Sequence, residues 1–218
     1  MASSVHSEQE LKYVLTDAQH ALLRTAEQFA NVSAWTTDRL CSRYYDTPDF
    51  RLRANHVALR LRLQNDSNFY LTCKCRGTQQ GALHQRTEEE ISVILSSADV
   101  FWPDLPNRLP WEKLELYPYI ASIQQGQPYQ ELFVTDFTRE HALLPWQGSV
   151  LDMAFDSGFI QAGECSQALH ELEVELHSGQ VTDLLAFDSL MRQSYGLQPE
   201  SQSKYQHGLA LIEQSTGR

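Results

Sequence analysis

The sequence predicts an α+β protein built on a β-barrel whose charged face points inward and whose outer wall is covered by helices. The first observation is Glu8-Gln9-Glu10-Leu11-Lys12, where charged residues stand at every second position. The second is its recurrence. Arg60-Leu61-Arg62, Thr72-Cys73-Lys74-Cys75-Arg76, Arg86-Thr87-Glu88-Glu89-Glu90 and Glu171-Leu172-Glu173-Val174-Glu175-Leu176 repeat the alternation. A period of two means β-strands with one charged and one apolar face. The third is the grouping and mixed sign of the charges on successive segments. One alternating strand alone reads as a solvated face, but five, each with an apolar opposite side, point to an inverted barrel with a working lumen.

The elements follow in order. A strand over 9–15 leads to a helix capped by Thr16 or Asp17, with Ala21, Leu22, Ala26, Phe29 and Ala30 as its buried stripe. A strand over 39–45 ends in the turn Asp46-Thr47-Pro48-Asp49. Strands over 57–64 and 69–76 form a hairpin through Gln64-Asn65-Asp66-Ser67-Asn68, and Gly77 to Gly81 turn into a strand over 84–94. The stretch 97–129, rich in Pro and Trp, predicts short outer helices, one over 111–125. Strands resume over 131–143, 149–156 and 169–176. A helix over 183–195 buries Leu184, Leu185, Phe187, Leu190 and Met191 and stops at Gly196, and the tail 202–214 reads as helical. With no repeat, linker or low-complexity tract, a single domain over 1–218 is expected.

At 218 residues, 42% hydrophobic and 21% charged, the chain has the composition of a globular protein with a substantial core. Its net charge of −11 argues against broad binding to nucleic acid or acidic membranes, without excluding a local basic pocket. The four cysteines lack paired CxxC spacing, and Cys73 and Cys75 share an apolar strand face, so they read as buried thiols. No apolar run reaches membrane-spanning length and the N-terminus has no signal-peptide core, so a cytoplasmic location is expected.

Sorting strand residues by parity separates a cationic set, Lys12, Arg60, Arg62, Lys74, Arg76, Arg86 and Arg139, from an anionic one. The anions are Glu8, Glu10, Glu88, Glu90, Asp152, Asp156, Glu171, Glu173 and Glu175. Burying unpaired charge is very costly, so whatever excess remains after mutual pairing needs an external partner. Clustered carboxylates call for a hard divalent ion such as Mg²⁺ or Mn²⁺, and arginine forks match phosphate oxygens. A metal-bound polyphosphate satisfies both. The eight histidines show no HxH or HExxH spacing, and nucleotide-loop and GxSxG motifs are absent. Arg24, Arg51, Arg53 and Lys113 read as solvent-exposed charges without partners, and Tyr44-Tyr45 as packing.

These residues resemble the CYTH superfamily, the triphosphate tunnel metalloenzymes, whose hallmark ExExK strand matches Glu8 to Lys12. Further matches are Tyr44-Tyr45-Asp46-Thr47-Pro48, Leu59-Arg60-Leu61-Arg62, Leu71-Thr72-Cys73-Lys74, Thr135-Asp136-Phe137-Thr138-Arg139, His170-Glu171-Leu172-Glu173 and Ser203-Lys204. Gly81 to Arg86 and the Thr-Asp-Phe-x-Arg run look most like the bacterial inorganic triphosphatase branch, whose members often continue into a histidine-rich CHAD domain. This chain therefore reads as a single CYTH domain or as the N-terminal half of such a protein. The resemblance implies an eight-stranded antiparallel tunnel. It implies that Lys12, Arg60, Arg62, Lys74, Arg139 and Lys204 hold triphosphate, to which the parity set adds Arg76. It implies two divalent ions held by Glu8, Glu10, Glu88, Glu171 and Glu173, with Asp156, or else Asp152, as a further ligand, and Lys12 and Glu173 as the catalytic pair.

The expected reaction is hydrolysis of inorganic triphosphate, a small-molecule substrate, to pyrophosphate and phosphate. The competing readings are a class IV adenylyl cyclase, a thiamine triphosphatase and a polyphosphate- or nucleotide-binding module without activity. Thiamine-triphosphate-specific relatives place Trp just before the Leu-Arg of the arginine strand, where this chain has Ala58. Trp35, Trp102, Trp111 and Trp146 are the other candidates for a stacking surface at the mouth.

Overall fold

A computed structural model describes residues 5–95 and 104–215. Alternation produces the expected strands: β1 (His6–Val14), β2 (Thr36–Asp46), β3 (Ala58–Gln64), β4 (Asn68–Gln80), β5 (Leu83–Val93), β6 (Gln130–Trp146), β7 (Ser149–Ala162) and β8 (Cys165–Ser178). They pair antiparallel in the order β5-β4-β3-β2-β6-β7-β8-β1, and β1 pairs with β5, which closes an eight-stranded barrel. A two-residue strand β9 (Gln198–Pro199) adds to β1 alongside β8 and β5. The β3–β4 hairpin turns at Asn65 and Asp66, both with positive φ, a conformation that these two residue types tolerate.

Two apolar clusters lie on the outside of this closed sheet. One joins Leu59, Leu61, Leu71, Cys73 and Cys75 to Leu105, Leu109, Trp111, Leu114 and Ile120, under α2 (Arg51–Ala54) and α3 (Tyr117–Gln124). The other joins Leu11, Tyr13, Leu172 and Val174 to Leu23 of α1 (Asp17–Thr25) and Leu184, Phe187 and Met191 of α4 (Val181–Tyr195). Apolar strand residues thus face the helices and leave the opposite parity to the lumen. Two carboxylates tie the outer layer down. Asp46 accepts the backbone N–H groups of Leu52 and Arg53 at 2.9 Å each, which caps α2. Glu89 is buried on the outer face of β5 and accepts the N–H groups of Glu115 at 2.6 Å and Leu116 at 2.8 Å, just ahead of α3.

Several elements differ from expectation. The 77–81 turn is replaced by a longer β4, whose register shifts between Cys75 and Thr78 before Gly81 makes the turn. The helix over 111–125 is a 3₁₀ turn (Trp111–Lys113) followed by α3. Thr16 caps α1 with a reciprocal capping box to Gln19, but α1 ends at Thr25, so its buried residue is Leu23 and Leu22 is 53% exposed. In α4, Leu185 likewise points out, at 43% exposure. Trp102 and Pro103 lie outside the described residues. Among the described residues, no helix is long and apolar enough to cross a membrane.

The C-terminal helix α5 (Lys204–Ser215) packs against β6, β7 and β8 through Leu209, Leu211, Phe133, Ile160 and Ala162. Gly208 permits that approach, because a Cβ there would sit 2.3 Å from the Phe133 ring. Gly208→Ala is expected to destabilise the protein by about 1–3 kcal/mol through overpacking, read as a lowered melting temperature. An unchanged melting temperature would contradict this seating of α5.

Candidate active site in the barrel lumen

The barrel register assembles the charged side chains. Directly opposed residues on neighbouring strands share a face. Lys12 lies opposite Glu173, Glu10 opposite Glu175, Glu8 opposite Arg86, and Lys74 opposite Glu88. On the other side of the barrel, Arg60 pairs with Thr72 and Arg139 with Asp156, which in turn lies opposite Glu171. Lys204 comes from the first turn of α5, not from a strand, and its ammonium reaches the same interior.

Two charge clusters result. In the first, Arg139 grips Asp156 with two donors, Nε–Oδ1 at 2.7 Å and Nη2–Oδ2 at 2.6 Å, and also donates to Glu173. Lys204 lies 2.7 Å from Asp156 and 2.9 Å from Glu173 and also pairs with Glu171. Lys12 pairs with Glu173 and lies 3.2 Å from Glu10. In the second, Lys74 lies 3.0 Å from Glu8 and 2.7 Å from Glu88. Arg86 bridges Glu8 and Glu10, while Arg60 lies 3.1 Å from Glu90 and 3.7 Å from Glu88.

These contacts set the protonation states. Burial pushes Glu173 upward, but Lys12, Lys204 and Arg139 together hold it well below the usual carboxylate range. Asp156 is held down against burial by Arg139 and Lys204. Glu171 goes the other way: burial carries it up to about 7 despite Lys204 and Lys12, helped by the charges of Glu173 and Asp156. Burial, with Glu8 and Glu10 nearby, takes Glu175 up to about 8, and it makes no ion pair among the described residues. Arg62 is the corresponding cation without an ion pair among the described residues. Its Nε lies 3.5 Å from the Ser42 hydroxyl, and burial beside Arg60 lowers it to about 10, although the charge of Glu90 opposes that fall.

A cavity of about 630 Å³ runs between the clusters, lined by Glu8, Lys12, Arg60, Arg62, Lys74, Glu88, Arg139, Glu173 and Lys204. Most candidate residues therefore line one space; Glu10, Asp156 and Glu171 do not line it but pair with Arg86, Arg139 and Lys204, which do, and Arg76 and Asp152 are absent from its wall. Arg76 does not enter the lumen. It sits at the β4 register shift with φ +54°, exposed, its guanidinium 5.4 Å from the Tyr119 ring centroid outside. Asp152 pairs with His141 at 3.6 Å, away from the Asp156 cluster. Glu90 lies inside, bonded to Arg60 and to Thr72. The arginines read as partnerless do have partners: Arg24 pairs with Glu140, Arg51 with Asp49, and Arg53 with Glu213. Arg53 also lines the cavity mouth.

Parity reading missed Tyr44, which stacks on Phe133 at 4.5 Å and also lines the cavity with Tyr205. The signal was available, because Tyr44 shares its strand face with Ser42, whereas Tyr45 packs outside. Trp35, Trp111 and Trp146 all pack in the outer clusters.

The donor set fits a hard divalent cation. Asp156, Glu171 and Glu173 are buried, and each presents an oxygen within 4.8 Å of the others. Oxygen-only ligation of this kind suits Mg²⁺ or Mn²⁺.

The CYTH domain model matches residues 6–209. The chain belongs to the CYTH family. Over 168 residues it is 34% identical to an inorganic triphosphatase of Haemophilus influenzae, a match covering 77% of this chain and 44% of that protein. The chain thus spans less than half the length of that curated relative. Among solved structures, HpAC1 from Hippeastrum, described as an adenylyl cyclase with a dominant triphosphatase activity, superposes with a TM-score of 0.63 at 18% identity. That match covers 95% of this chain and 96% of HpAC1. A protein from Pyrococcus horikoshii gives 0.58 at 17% identity, covering 93% and 98%. At these identities the likeness establishes the CYTH fold, and the site must be argued from this chain's own residues.

Proposed function

We propose that this CYTH domain hydrolyses inorganic triphosphate to pyrophosphate and phosphate in its lumen, with divalent metal bound by the carboxylates. The observation that carries the reading is the presence in one cavity wall of Arg62, which has no carboxylate within ion-pair distance among the described residues, and of Glu173, whose oxygen lies within 4.8 Å of those of buried Asp156 and Glu171 behind it. The first demands an anion and the second a cation. Metal-bound triphosphate supplies both.

Arg60, Arg62, Lys74, Arg139 and Lys204 would grip the phosphate oxygens, with the arginines offering two-point contacts. Glu8, Glu10, Glu88, Asp156, Glu171 and Glu173 would hold Mg²⁺ or Mn²⁺, which when bound neutralises phosphate charge and acidifies a coordinated water. Phosphoryl transfer then needs chiefly in-line positioning and electrostatic stabilisation. Water adds to a terminal phosphorus, the bridging P–O bond breaks towards pyrophosphate, and one proton leaves. Lys12, held between Glu10 and Glu173, is placed to stabilise the attacking oxygen as that proton departs.

The structural likeness to a protein described as an adenylyl cyclase, and the Tyr44 and Tyr205 rings at the mouth, make organic triphosphates the second reading. Tyr44, however, is buried with its ring stacked on Phe133, and Ala58 occupies the arginine-strand position, so little stacking surface remains. Phosphate release from inorganic triphosphate, ATP and thiamine triphosphate distinguishes these readings. Inorganic triphosphate is expected to lead in kcat/KM by at least about tenfold, or about 1.4 kcal/mol. Equal efficiency on thiamine triphosphate, or cyclic AMP from ATP, would overturn the choice.

A further inference from the structure

We propose that Arg86 is a positioning residue that ties Glu8 and Glu10 together in the orientation in which they take a divalent ion; this rests on the metal-dependent reading above. Arg86 is the lumen cation to which that reading assigns no phosphate. β1 and β5 set it directly opposite Glu8. Its Nε donates to Glu8 Oε2 at 2.5 Å, and its Nη2 donates to Glu10 Oε1. The other oxygens are turned to lysines: Glu8 Oε1 lies 3.0 Å from Lys74 Nζ, and Glu10 Oε2 lies 3.2 Å from Lys12 Nζ.

One rigid fork therefore spans two carboxylates that stand two residues apart on one strand face. The spacing of its nitrogens fixes the spacing of the oxygens, which a lysine ammonium, a single point charge on a flexible stem, does not do. Lys12 and Lys74 cannot replace it, because each holds only one member of the pair. Partners that orient metal ligands in this way control affinity strongly, and their loss costs about 10–100-fold.

The test is calorimetric titration of the full chain with Mn²⁺ alone, comparing wild type, Arg86→Lys and Arg86→Met. Melting temperatures of the metal-free proteins are recorded alongside. Arg86→Lys keeps the charge and the fold but not the fork, so it is expected to bind Mn²⁺ about 10–100-fold more weakly. At saturating Mn²⁺ its KM for triphosphate should equal that of wild type. Wild-type Mn²⁺ affinity in Arg86→Lys would overturn the proposal, showing that charge alone suffices. A raised KM with intact Mn²⁺ affinity would also overturn it, placing Arg86 on the substrate. If the wild-type protein bound no Mn²⁺, the metal reading itself would fail, an outcome distinct from either of these.

Discussion

Chelation of divalent metal is expected to abolish phosphate release, and added Mg²⁺ or Mn²⁺ to restore it. The lumen holds Asp156, Glu171 and Glu173 with their oxygens within 4.8 Å of one another, beside the arginines that would bind substrate. Without a cation between them, each phosphate oxyanion brought near such a carboxylate meets a repulsion of about 4 kcal/mol at 4 Å and an effective dielectric of 20. A single uncompensated contact of that size lowers binding by about a thousandfold, and the lysines and arginines that now pair with these carboxylates could not serve them and the substrate at once. Phosphate release should therefore fall to background in EDTA and return on metal addition. Activity that persists in chelator would contradict the assignment of the carboxylates to metal.

The two charge sets are expected to separate kinetically. Glu173→Gln removes the charge shared by Lys12, Lys204 and Arg139 and should lower turnover by about 10²–10³-fold. Because those cations then lose a buried partner, a fall in melting temperature should accompany it. Arg62→Ala behaves differently. Arg62 makes no ion pair among the described residues, and nearby Glu90 keeps its bonds to Arg60 and Thr72, so no carboxylate is stranded and the melting temperature should hold. The effect appears instead as a raised KM for triphosphate, by about 10–100-fold for one charge-assisted contact worth about 1.5–3 kcal/mol. Arg51→Ala is the control, since Arg51 bonds Asp49 and Gln125 outside the cavity. If it raised KM as much as Arg62→Ala, the division of charges between lumen and surface would be wrong.

How far the site could be read from sequence depended on strand regularity. Where a strand stays in register, parity alone places the side chain, as with Glu8, Glu10 and Lys12 on β1 or Glu171 and Glu173 on β8. Arg76 shows where that logic stops. A register shift at Cys75/Thr78 breaks the alternation, and Arg76 swings outward although its parity with Lys74 is correct. Lys204 was invisible to parity because it projects from a helix, and only its place in the Ser-Lys motif marked it. Glu89 carried a readable signal, a carboxylate on the apolar face between two lumen glutamates. Its role, accepting two N–H groups ahead of α3, depends on a contact 26 residues away in the chain. Ion pairs such as Arg53–Glu213 likewise join chain segments that no local pattern connects. The helix stripes of α1 and α4 failed at Leu22 and Leu185 because each turn's orientation is set by the barrel surface beneath it, not by spacing alone.

The most direct test of the central claim is to locate metal and phosphate together. Anomalous diffraction from crystals grown with Mn²⁺ and a non-hydrolysable triphosphate would show both. The account predicts Mn²⁺ bonded to oxygens of the lumen carboxylates, among them Asp156, Glu171 and Glu173, and phosphates bonded to Arg60, Arg62 and Arg139 in the same cavity. Mn²⁺ found only outside the barrel, or phosphates bound on its exterior with Arg62 untouched, would contradict it.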